Sequence, residues 1–234
     1  MLNKKTVQWK RISYSFVSVL LVAALLLPCG VAAVGLELEL PEDVSPEDSF
    51  YRSVRSGLRF GIIVGTSEDR FIFEPNRIVT RAEFITMLGR MHEYFNEPIA
   101  TPGEELFYER YLNWAVEMGI VLGDESGYLM PHDPLTREQM MVIADRYLSV
   151  FDLWRTVRAN FWSRIPLGML LPEITVFFDE PYVSSWALYS LWSFASIHQL
   201  PIDNNRYFRP QDNALRSEAL FAIIHIVWLV TNEL

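Results

Sequence analysis

Three arginines stand where a helix gains least from a cation. Arg81 lies in "VTRAEF" (79–84), Arg137 in "LTREQM" (135–140) and Arg216 in "LRSEAL" (215–220). Thr80 with Glu83, and Thr136 with Gln139, show the Ser/Thr-x-x-Glu/Gln spacing of a capping box, which opens a helix. Each arginine then falls in a first helical turn, where the macrodipole disfavours a cation by up to about 1 kcal/mol. A guanidinium is a planar fork that grips a carboxylate through two parallel hydrogen bonds. A helix start adds unpaired N–H groups and partial positive charge. Together they predict capture of a carboxylate anion at these helix starts. The competing reading is structural: each arginine pairs with a nearby carboxylate and staples the fold.

Other chemistry has little support. His92, His132, His198 and His225 lack metal-ligand spacing. No Gly-rich phosphate loop is present. Cys29 is the single cysteine, so there is no disulfide framework and no cysteine metal site. Glu104 with Glu105, or Asp152 with Glu173, can be imagined as a glycosidase pair, but nothing in their spacing singles them out. No catalytic residue, metal or cofactor is expected. The formal net charge of −9 argues against a nucleic-acid partner.

The N-terminus has the order of a secretory signal peptide. Lys4, Lys5, Lys10 and Arg11 precede an uncharged run from Ile12 to Leu27, and the small residues of "CGVAA" follow. Cleavage is expected after Ala33. The run is only slightly short for a membrane span, so a retained anchor is the alternative and the single route to a membrane. Removing residues 1–33 takes away four cations, and the formal charge of −9 becomes −13. The sixteen basic residues that remain are all arginine.

The elements that carry the arginines repeat. Pro75, Pro131 and Pro210 each stand six residues before Arg81, Arg137 and Arg216. Each unit reads as a helix, a Gly/Asp-rich turn, an apolar residue and proline, and a second helix. The second helices share an apolar stripe at helical spacing: Phe84, Met87, Leu88 and Met91; Met140, Ile143, Ala144 and Tyr147; Ala219, Ala222, Ile223 and Ile226. The first helices are read at 49–60, 105–118 and 186–197, with Gly61 and Gly119 as stops. Strand-like alternation persists nowhere, so the fold class is all-α. A lone helical pair cannot bury its face; three packed together can.

The division follows as 1–33 signal or anchor, 34–48 linker, 49–95 first repeat, 104–149 second repeat, 150–176 insert and 177–230 degenerate third repeat. The insert mixes Trp154, Phe161 and Trp162 with Arg155, Arg158 and Arg164. It reads as a helix packed on the bundle. The alternative is a surface for an envelope protein partner, centred on Trp154, Arg158 and Trp162.

"GI..G", a Gly/Asp turn, "F.P" and "TRAEF" resemble the S-layer homology domain of bacterial cell-surface proteins. "LTREQM" is similar to a second copy and "LRSEAL" to a degenerate third; "FFDEPYVSSWA" (177–187) resembles the repeat's opening. The resemblance covers nearly all of residues 45–230. It implies three repeats in a pseudo-threefold helical domain with grooves between them. It implies non-covalent binding of secondary cell wall polysaccharide, typically through a pyruvate ketal on an acetylmannosamine end unit, and no enzyme activity. Carried over by motif, the glycan-binding residues are Arg81, Arg137, Arg216, Gly65, Gly123, Asp179 and Trp186. The chain departs from the pattern in places. Leu215 replaces the capping threonine, and the third "GI" is Gln199-Leu200 or thereabouts. The first opening helix lacks the tryptophan, and Trp114 stands too late for it. One or two working grooves are therefore expected, on a secreted protein of the cell wall or cell surface. Two other classes stay open: a scaffold of the same fold that binds a protein partner without glycan, and a small wall-processing enzyme.

Overall fold

The computed structural model describes residues 38–66, 69–100, 106–124, 126–163, 177–197 and 201–231, with the side chains of 161–163 excepted. The signal or anchor segment, Gln199-Leu200 and Trp162's side chain lie outside them. Seven α-helices are described: α1 (Tyr51–Arg59), α2 (Arg81–Phe95), α3 (Glu109–Glu117), α4 (Arg137–Val150), α5 (Trp154–Ser163), α6 (Leu188–Ala195) and α7 (Arg216–Thr231). The fold is all-α, with no strand among the described residues. None of these helices is long and apolar enough to cross a membrane.

α2, α4 and α7 are the long helices of the three units, and all twelve stripe residues on them are buried. Burial of that apolar surface is the main force holding the units together. α1, α3 and α6 are the short opening helices. Gly61 and Gly119 end α1 and α3 in the left-handed region, at φ 62° and 71°, a conformation glycine adopts without a Cβ penalty.

The units close on each other through backbone. Val79 N–H donates to Ala214 O (3.0 Å), Ala214 N–H to Leu135 O (2.8 Å) and Leu135 N–H to Val79 O (3.1 Å). The three residues are fully buried, so this ring of bonds is sheltered from water. It makes the arrangement cyclic, with the third unit joined back to the first.

Both capping boxes form. Thr80 Oγ1 accepts from Glu83 N–H (3.3 Å) and Glu83 Oε2 from Thr80 N–H (2.9 Å). Thr136 and Gln139 do the same at 3.3 and 3.1 Å. Leu215 cannot accept, yet Glu218 Oε2 still takes Leu215 N–H (3.0 Å), so the third unit keeps half its box.

A residue ahead of 49, inside the expected linker, bonds to the first unit's turn. Asp43 Oδ1 and Oδ2 accept from Phe73 and Glu74 N–H (2.8 and 2.7 Å). Asp179 does the same for Phe208 and Arg209 (2.9 and 2.6 Å). These carboxylates hold the residue before each proline, Glu74 and Arg209, in a left-handed conformation (φ 58° at both) that non-glycine residues avoid.

The insert packs. Val157 on α5 is fully buried, α5 lies against α7, and Asn160 Nδ2 donates to Leu229 O (2.8 Å). Trp154 is half-buried, its Nε1 donating to Asp145 Oδ1 (2.9 Å) and its ring edge-on to Phe194. Arg158 is exposed, 5.7 Å over the Trp154 ring. Trp154 is thus held by the bundle through its ring nitrogen and ring edge.

His92 sets a pH limit on stability. It is buried against Trp114 and Phe151, with Nδ1 3.2 Å from Tyr147 Oη. Burial lowers its pKa to about 4, against a small opposing pull from Glu93. The unfolded chain takes up a proton near pH 6.5 that the folded chain refuses. This contribution is full above pH 6.5 and lost as pH falls towards 4. Between pH 7 and 5 the wild type should lose about 2 kcal/mol more than His92→Gln, read by urea unfolding at both pH values. Equal losses would overturn it.

Candidate functional site

Each motif arginine reaches out of its own unit into the turn of the next. Arg81 Nη2 donates to Leu122 O (3.0 Å), Arg137 Nη2 to Pro201 O (2.7 Å) and Arg216 Nη2 to Val64 O (3.3 Å). The helix starts themselves are closed. Arg81 and Ala82 N–H donate to Asp133 O and Pro131 O; Arg137 and Glu138 N–H to Asp212 O and Pro210 O; Arg216 and Ser217 N–H to Arg77 O and Pro75 O. The expected role of free helix-start N–H groups is therefore corrected. Neighbouring carbonyls consume them, and only the guanidinium side chains remain for an anion.

Three grooves result, one per arginine. The Arg81 groove is about 540 Å³, the Arg216 groove about 510 Å³ and the Arg137 groove about 290 Å³. The last is smaller where Ile202 stands in place of Gly65 and Gly123. A Cβ on Gly123 would sit 2.5 Å from the Gly127 carbonyl carbon, and one on Gly65 2.9 Å from the Phe71 ring. Those turns fold too tightly for a side chain. Asp124 and Asp203 hold corresponding turns, each Oδ1 accepting two backbone N–H groups.

The grooves differ most in charge. Opposite each arginine lies the capping residue of the next unit. For Arg137 it is Glu218, and the two form an ion pair; Arg137 Nε also donates to Phe208 O (2.6 Å). For Arg216 it is Glu83, at 3.7 Å. For Arg81 it is Gln139, an amide with no charge to offer. Among the described residues Arg81 has no ion pair, and its buried Nε, like that of Arg216, has no hydrogen-bond partner. Burial, and behind it the like charge of Arg146, push the Arg81 guanidinium below its ordinary pKa, while Asp133 opposes. Arg146 lines the same groove and is lowered by burial too. Two half-buried cations share one cleft, and an anion between them would relieve both.

The structure brings Arg81, Gly123 and Trp186 together in this groove, and Gly65 with Arg216 in another. Asp179 enters none of them. It is buried, with both oxygens on backbone. Thr80, Glu83, Thr136 and Gln139 cap as described, and Gln139 is also a groove residue.

Residues 42–85 and 104–141 match the S-layer homology domain. Each matched segment runs from its unit's opening, through the turn, to just past the motif arginine. The unit at 177–231 lies outside both matches yet repeats their arginine-to-carbonyl bond, their left-handed residue before proline and their place in the ring. An amylopullulanase of Thermoanaerobacterium thermosulfurigenes is 28% identical over 168 residues, 70% of this chain and 8% of that protein. An endoglucanase of Bacillus sp. (strain KSM-635) is 26% identical over 179 residues, 74% of this chain and 17% of that protein. Exoglucanase XynX of Acetivibrio thermocellus is 26% identical over 177 residues, 74% of this chain and 15% of that protein. The chain thus spans less than a fifth of the length of each.

Sequence reasoning missed three groove residues. Arg90 and Arg146 each stand nine residues after a motif arginine, and each lines the groove of the preceding unit's arginine. The repeat contained that signal, off the apolar stripe. Tyr128, exposed and lining the same groove as Trp186, was the third.

Proposed function

We propose that this chain is an exported, non-enzymatic envelope protein that holds an anionic cell wall polysaccharide in the Arg81 groove. One observation carries the reading: Arg81 faces Gln139, so it is the motif arginine without a carboxylate of its own. A pyruvate ketal on a sugar supplies that carboxylate, and Arg146 provides a second cation beside it. Tyr128 and Trp186 offer ring faces to the sugar. Arg137 and Arg216 serve mainly as staples between units, because each already has a glutamate. Residues 177–231 act as a diverged third repeat. Residues 1–33 act as a signal peptide, or as a membrane anchor if retained. The relatives bear the names amylopullulanase, endoglucanase and exoglucanase, and each shares with this chain less than a fifth of its own length, which fits an attachment module common to larger proteins.

The test is sedimentation of the full chain with purified bacterial wall. Binding should require the secondary polymer and fall when its pyruvate groups are removed. Sedimentation that ignores both treatments, or no sedimentation of a folded chain, would overturn the reading.

A further inference from the structure

Trp186, Tyr189 and Trp192 lie three residues apart and are all exposed, Tyr189 by 76% of its surface. The opposite side of α6 is buried: Leu191 and Phe194, with Ala187 at the helix cap, face the core, where α6 packs against α4. Tyr189 and Trp192, three apart on α6, are neighbours on one helical face, and Trp186 stands in the turn just ahead of the helix. The result is an aromatic ridge on a strongly acidic chain. Its first member, Trp186, is also a wall of the Arg81 groove. The ridge therefore leads out of the groove along α6.

Three large rings in seven residues are costly to leave in water. Packing does not explain them, since neither Tyr189 nor Trp192 is buried. Their chemistry suits a ligand with apolar ring faces and hydroxyl edges. Aromatic residues of this kind combine a large apolar face with a polar tip. A sugar ring matches on both counts. The ridge brings no cation of its own, since no Lys or Arg lies among residues 177–197.

We propose that the ridge is a second subsite, which stacks the neutral sugars that follow the anionic end unit. This rests on the Arg81-groove reading, from which the chain of sugars must emerge past Trp186. The groove recognises the charged end; Tyr189 and Trp192 add affinity with each further unit. Specificity for charge and sensitivity to length then reside on different residues.

The experiment measures affinity of the full chain by calorimetry for two probes. One is a single pyruvate-ketal acetylmannosamine; the other is a trisaccharide with that unit at its end. Wild type should bind the trisaccharide more tightly. Tyr189→Ala/Trp192→Ala should bind the trisaccharide about tenfold more weakly than wild type and the single sugar as before. Both side chains are exposed, so the variant should fold, checked by circular dichroism. Unchanged trisaccharide affinity in the variant would overturn the ridge but leave the groove standing. Equal loss for both probes would overturn a separate subsite. No binding of either probe by wild type would overturn groove and ridge together.

Discussion

Gln139→Glu is expected to abolish binding to the wall polymer while leaving the fold intact. Glutamate keeps the cap, since a carboxylate at the same place accepts Thr80's N–H in the first unit. It also places a negative charge in the first helical turn, which is mildly favourable. But it gives Arg81 the partner that Arg137 has in Glu218 and Arg216 in Glu83. The site is then occupied from within, and an incoming carboxylate meets a like charge. Affinity should fall by at least about a hundredfold, the scale of losing one partner of a partly buried charge pair. Thermal stability should stay level or rise. Arg81→Ala should match the binding loss. Retained binding by Gln139→Glu, in the sedimentation assay at equal protein, would remove the charge argument for this groove.

The second large effect falls on stability. Arg137 is almost wholly buried, pairs with Glu218, donates to Phe208 O and Pro201 O, and lies 5.1 Å over the Phe208 ring. Arg137→Ala leaves two carbonyls and a carboxylate short of donors across a joint between units. Breaking a buried pair from one side costs about 3–5 kcal/mol. Urea unfolding should show this loss, with Arg81→Ala far closer to wild type. If the two substitutions destabilise equally, the division into staple and ligand arginine is wrong. A double Arg81/Arg137 substitution cannot separate the roles, because loss of fold would pass for loss of binding.

The contrast shows what could be read from residues alone. The proline-to-arginine spacing, the capping boxes and the apolar stripes are local, and local periodicity predicts local structure well. The all-α fold followed from them. The closure of the helix starts did not, because Pro131 O and Asp133 O come from another unit and their approach has no local signature. Asp43 was missed for a similar reason. It does the work of Asp179 from a stretch without helical periodicity. The difference between Gln139 and Glu218 or Glu83 was in plain sight. It acquires meaning only once each arginine is known to face the next unit's cap rather than its own.

The backbone ring of Val79, Leu135 and Ala214 also bears on how the chain is made. An open stack of repeats can begin folding at one end and gain stability with each unit. Here Val79 N–H of the first unit lacks its acceptor until residue 214 is in place, so the last unit to emerge completes the first. Contacts between positions so far apart in sequence slow folding. Until then the earlier units stay incomplete, and the fold locks only when the whole chain is at hand.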